Sequence, residues 1–172
     1  MPLTITAEGE SNVHLDGVCK FHGWTHASLA LLLDHLSAIS PANYARALPA
    51  FGFPTLQEQV IHIFNCESFW IQTLQGFPHV DRNPAECATV VDARLLQQEV
   101  SRKTHAYLSE LTDQKLNTAK KLQFSDGDIA VRTPALILHH VLTHAFHHKG
   151  QIVAMCRALG HPAPDTDLNQ FE

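Results

Sequence analysis

Apolar positions recur at helical spacing through four long stretches of the chain, and Pro- and Gly-rich segments separate them. Residues 14–39 carry Phe21, Trp24, Leu29, Leu32, Leu36 and Ile39 at that spacing. This predicts a first helix, weakened near its start by Gly17 and Gly23. Ser40-Pro41 joins a capping side chain to a first-turn proline and opens a short helix that ends before Pro49. Thr55-Leu-Gln-Glu58 reads as a capping box, in which the threonine hydroxyl and the glutamate carboxylate satisfy each other's orphan backbone N–H groups. The helix it starts runs to about Gln75, where Gly76 and then Pro78 stop it. Residues 89–118 fit a third long helix through Val91, Leu95, Tyr107, Leu108 and Leu111. Lys121–Phe124 and Ile129–Val131, on either side of Asp126-Gly127, predict a small hairpin. Thr133-Pro134 begins a last helix that runs to Leu159 and closes at Gly160. The sum is an all-α, up-down four-helix bundle with a small β-hairpin between the third and fourth long helices.

At 172 residues the chain is expected to form one domain, 1–172, with no internal repeat. Its 45% apolar content contains no run long enough to cross a bilayer. The acidic N-terminus lacks the charged-then-apolar order of a signal peptide, so cytoplasm is the expected location. Net charge is −5, and no basic cluster exceeds Lys120-Lys121, which argues against a nucleic-acid partner. Cys19, Cys66, Cys87 and Cys156 are widely spaced without a Cys-x-x-Cys, as expected of reduced, mostly core thiols. The compositional anomaly is thirteen histidines.

Four of them, with one glutamine, fall in His140-Val-Leu-Thr-His144-Ala-Phe-His147-His148-Lys-Gly-Gln151 on the last helix. With His140 at 0°, the aliphatic residues Ile137, Val141, Ile152, Met155 and Leu159 gather between about 60° and 120°. His144 falls near 40° and His148 near 80°, inside that core-facing stripe, while His140, His147 and Gln151 flank it. Two imidazoles one turn apart on an apolar face present two nitrogens to one transition metal. The bland account, ordinary core histidines with hydrogen-bond partners, needs polar neighbours that this face hardly offers. The equally spaced His22 and His26 lie towards the polar side of a first-helix arc centred on Leu32 and Ile39, which predicts a solvated pair. His35, His105 and His161 have no partner at ligand spacing, so exposure is expected for each.

A third ligand must come from another helix, and His62 is placed to supply it, at the edge of the buried arc marked by Ile63, Trp70 and Leu74. Cys66 lies one turn on and is a candidate fourth ligand, with plain core the stronger reading. Glu67 points about 140° away from His62, within the apolar arc. A carboxylate there wants a partner on another helix or across a dimer interface, as a structural ion pair or hydrogen bond.

These residues resemble those of the DinB family, damage-inducible four-helix bundles that include YfiT-like metal-dependent proteins. The likeness covers about residues 17–168. Its most specific part is His-x-x-x-His-x-x-His-His-Lys-Gly-Gln followed by Leu159-Gly160; weaker parts are Phe53-Pro54-Thr55 before His62, Glu67 and Trp70, then Trp24 and Pro164-Asp165-x-Asp167-Leu168. Thr143 stands where relatives often have Asn. The resemblance implies that His62, His144 and His148 bind one divalent ion (Ni, Zn, Fe or Mn), with open positions for water or substrate. His140, His147, Gln151 and Cys66 are then candidates for the surrounding shell. It further implies a homodimer and a metal-dependent transferase that joins a low-molecular-weight thiol to a small electrophilic substrate. The alternatives are a metal-dependent hydrolase and a non-catalytic, stress-responsive binding protein with a structural metal. No nucleic-acid or membrane partner is expected.

Overall fold

The computed structural model describes residues 12–171; the N-terminal stretch read above for a signal peptide lies outside them. The elements run α1 (Leu15–Leu36), the short α2 (Pro41–Tyr44), α3 (Leu56–Gln75), a 3-10 turn at Pro84–Cys87, α4 (Val90–Ser109), the short α5 (Asp113–Asn117), strands β1 (Lys120–Gln123) and β2 (Ile129–Arg132), α6 (Pro134–Ala158) and a final 3-10 turn at Leu168–Gln170. The expected helical bundle with one antiparallel hairpin is present, with Leu122 paired to Ala130. None of these helices is long and apolar enough to cross a membrane.

Local chemistry sets the boundaries. Thr55 and Glu58 close the capping box at the start of α3, with both backbone-to-side-chain bonds at 3.0 Å. Thr133 accepts the Leu136 N–H at the start of α6. Gly76 and Gly160 end α3 and α6 at φ +79° and +83°, a region where a side chain would be strained.

α1 and α3 each pack against both α4 and α6, so they occupy opposite corners of the bundle. Directions follow from the cross-contacts. Gln59, His62 and Trp70 on α3 meet Gln151, His144 and His140 on α6, an antiparallel pairing. Phe21 and Ser28 on α1 meet Phe146 and Lys149 on α6, which is parallel. His26 and Asp34 meet Gln97 and Arg94 on α4, antiparallel again. Thus α1 and α6 run one way and α3 and α4 the other; the bundle is as expected but its order is not simply up-down, since residues 76–89 are long enough to return the chain along the roughly 30 Å of α3. Leu32, Leu33, Leu36, Ile61, Phe64 and Met155 fill the centre. Each such side chain contributes about 1.5–3 kcal/mol on burial.

The third long helix departs from its predicted span. The chain leaves α4 at Glu110, and Thr112 caps α5 by accepting the Lys115 N–H. Its inward face also differs: Val91 and Leu95 are 67% and 60% exposed, and Ala93, Leu96, Gln97, Val100 and Thr104 are buried instead. Apolar residues alone mislead here because two of the inward positions are polar. Gln97 donates to the His26 carbonyl at 2.8 Å, and Thr104 donates to Glu67. The four cysteines are free thiols.

After α6 the chain folds back over the bundle. Lys149 is buried; its Nζ donates to the Thr166 carbonyl at 2.6 Å and to Ser28 Oγ at 2.9 Å and lies 4.7 Å over the Phe146 ring. His35 and His161 are half-buried rather than exposed, since His35 Nε2 donates to the His161 carbonyl and Asn43 donates to His161 Nε2. His105 is exposed.

Candidate metal centre

α3 and α6 run side by side, and their registers bring His62, His144 and His148 together so that one ring nitrogen of each lies within 4.8 Å of the other two. His62 Nε2 and His144 Nε2 are 3.1 Å apart. The His148 ring centre lies 4.5 Å from that of His62 and 4.4 Å from that of His144.

The tautomer of His148 is fixed by a residue that the sequence reading passed over. His148 Nδ1 donates to Gln59 Oε1 at 2.7 Å, which leaves Nε2 with a bare lone pair. Gln59, fully buried, spends its own N–H groups on the Phe53 carbonyl at 2.9 Å and on Gln151 Oε1 at 2.8 Å. Gln151 Nε2 in turn donates to His147 Nε2 at 2.7 Å. A chain of hydrogen bonds therefore runs from exposed His147 through Gln151 and Gln59 to His148. The signal for Gln59 was its place one turn before His62, three residues on from which a ligand points the same way.

Burial and the neighbouring imidazoles push His144 and His148 down to about 4, and burial also lowers His62. All three rings are neutral near pH 7, the state in which imidazole binds a metal. Convergent nitrogens, a fixed tautomer and neutral rings together fit a divalent first-row ion.

Phe53 covers one side of the cluster, stacked 3.9 Å from the His62 ring and edge-on to His148. His140 is exposed, 5.6 Å from the His144 ring, with Trp70 edge-on to it. Cys66 is half-buried and outside the group of converging atoms; burial, then the Glu67 charge, pushes its thiol up to about 12. It is therefore a protonated, inert side chain.

The opposite side of α3 holds a correction. His22 and His26 are buried, not solvated, and both bind Glu67. His22 Nε2 lies 2.9 Å from Glu67 Oε1; His26 Nε2 lies 3.2 Å from Oε1 and 3.0 Å from Oε2. The buried arc of α1 passes through Val18, Thr25, Leu29, Leu32 and Leu36, so it is centred towards the histidines rather than towards Ile39, which lies beyond the helix. Glu67 meets the expected partner on another helix, and that partner is this pair.

The sequence profile of the DinB family matches residues 15–172, nearly all of the chain described above. This chain belongs to the DinB family. Among its relatives, protein DinB of Bacillus subtilis is 24% identical over 136 residues, 69% of this chain and 73% of that protein. The uncharacterized protein YizA of the same species is 25% identical over 108 residues, 63% of this chain and 67% of that one. The crystal structure of a DinB-like protein from Bacillus cereus superposes with a TM-score of 0.65, covering 85% of this chain and 94% of that chain at 18% identity. That likeness supports the DinB-type helical bundle, within which the histidine groups could hold a metal.

Proposed function

We propose that this DinB-family protein is a metal-dependent transferase in which His62, His144 and His148 hold one divalent ion and a low-molecular-weight thiol attacks a small electrophile. The observation that carries the reading is the set of three neutral imidazoles converging from two helices, with no further His, Cys, Asp or Glu grouped with them among the described residues. Three protein ligands with room for an exchangeable one is the arrangement of catalytic rather than structural sites. The bound ion would supply a lowered pKa for a thiol or water held beside it.

The chain's own residues then have separate tasks. Gln59 keeps the His148 ring oriented and its Nε2 free of a proton. The path Gln59–Gln151–His147 anchors that orientation from the surface, and the proton the thiol gives up passes to solvent. Phe53 keeps water from one face of the cluster. The new carbon–sulfur bond forms as the electrophile's leaving group departs or, in an addition, as its carbon takes a proton.

The first experiment is elemental analysis of tag-free protein beside His62→Ala and His148→Ala, followed by turnover of electrophiles with and without thiol. About one ion lost in both variants, with thiol-dependent turnover, is the expected result. Turnover without thiol would replace the transferase by a hydrolase. An unchanged metal content in His62→Ala would remove α3 from the centre.

A further inference from the structure

The Glu67 carboxylate is 3% exposed and lies between α1 and α4, where four polar contacts meet it. His22 Nε2 and His26 Nε2 approach at 2.9 Å and 3.0–3.2 Å, and Thr104 Oγ1 donates to Oε1 at 2.6 Å. One atom each of His22, His26 and Glu67 lies within 4.8 Å of the other two, and the two imidazole centres are 4.4 Å apart. Donors held side by side on a first-row ion at about 2.1 Å are separated by roughly 3.0 Å, close to the spacing already present. Two imidazoles and one carboxylate gathered on one side of a point are the donor set of open facial sites for divalent first-row ions.

Charge points the same way. The Glu67 carboxylate is buried among polar groups that are not themselves permanent cations. Among the described residues no lysine or arginine pairs with it; its ion-pair partners are the two imidazoles. A buried anion needs a cation, and the candidates are a proton on one imidazole or a metal ion among all three groups. Access exists: His22 and His26 line a shallow groove between α1 and α4, with Cys19, Arg102 and His105 around it.

We infer that His22, His26 and Glu67 form a second divalent-metal site, independent of the three-histidine centre and lying beneath the groove between α1 and α4 that the two histidines line. Its carboxylate oxygen makes it harder than an all-imidazole site, so it suits Mn2+ and Fe2+ relatively better. Occupied, it ties α1 to α3, with Thr104 extending the tie to α4.

The test is titration of chelator-stripped, full-length protein with Mn2+ and with Co2+, reading bound metal by elemental analysis and cobalt absorption. Wild type, His148→Ala and Glu67→Gln are compared, with circular dichroism to confirm folding. The wild type is expected to bind about two ions, and each variant about one, with different cobalt spectra for the two that remain. If Glu67→Gln does not fold, His22→Asn takes its place. A single ion lost in His148→Ala and retained in Glu67→Gln would overturn this site and leave the three-histidine centre standing. A single ion retained in His148→Ala and lost in Glu67→Gln would support this site and overturn that centre. No binding in any form would overturn both and leave a proton as the partner of Glu67.

Discussion

The two faces of α3 present the same residue type in opposite electrical settings. On one, His62, His144 and His148 converge with no carboxylate among them; burial lowers all three, and neighbouring imidazoles lower His144 and His148 further. On the other, His22 and His26 close around the buried Glu67 carboxylate at 2.9–3.2 Å. One cluster is only partly buried and the other is wholly so. A histidine in the core therefore has no single meaning: what its nitrogens converge on, other imidazoles or a carboxylate, decides what it can do.

The largest expected break in that symmetry is Glu67→Ala. It strands two imidazoles and the Thr104 hydroxyl in the core, and should cost about 3–5 kcal/mol in urea unfolding of the metal-free protein. His148→Gln, on the other side of the helix, should cost much less in the same assay; equal losses would show that the clusters are not different in kind. Next comes Gln59→Leu, which leaves every imidazole in place but releases the His148 tautomer. Affinity at the three-histidine centre should fall about 10- to 100-fold in competition with a chelating dye. An unchanged affinity would show that the glutamine only fills space.

Acid should separate the clusters in pH. His144 and His148 sit near 4 in the folded protein and near 6.5 unfolded, so the unfolded chain binds more protons between those values. Their contribution is complete above about pH 6.5 and is lost as pH falls towards 4, by about 1–2 kcal/mol in total once solvent screening is allowed for. The Glu67 carboxyl is depressed instead, so its contribution persists above about pH 4.3 and is lost only as pH falls further. Melting temperatures of metal-free protein from pH 3 to 7 should show both windows; His148→Gln should flatten the upper one and Glu67→Gln the lower. The smallest effect belongs to Cys66→Ser, expected to leave metal content unchanged and stability within about 1 kcal/mol.

Much of this was readable from the chain because it is written in local chemistry. The Thr55–Glu58 box and the Thr133-Pro134 start fix the registers of α3 and α6, and with the registers come the positions of His62, His144 and His148. What local chemistry cannot carry is a polar core. Tyr107 and Leu108 face inward as expected, but Val91 and Leu95 do not, since Gln97 and Thr104 face in to serve groups on α1 and α3. The same blindness set His22 and His26 in solvent while Glu67 was left seeking a partner. Each half was unexplained for want of the other, and only the packing of α1 across from α3 joins them.

The position of α6 in the chain also sets the order in which these sites can exist during synthesis. His22, His26, Glu67 and Thr104 all precede residue 105, so every member of the Glu67 cluster is synthesised before the last helix. The three-histidine cluster has one of its imidazoles until α6 emerges and then gains two within a single turn and a half of helix. The three-histidine cluster therefore forms only with the pairing of α3 and α6, the step that also brings Ile152 and Met155 into the core.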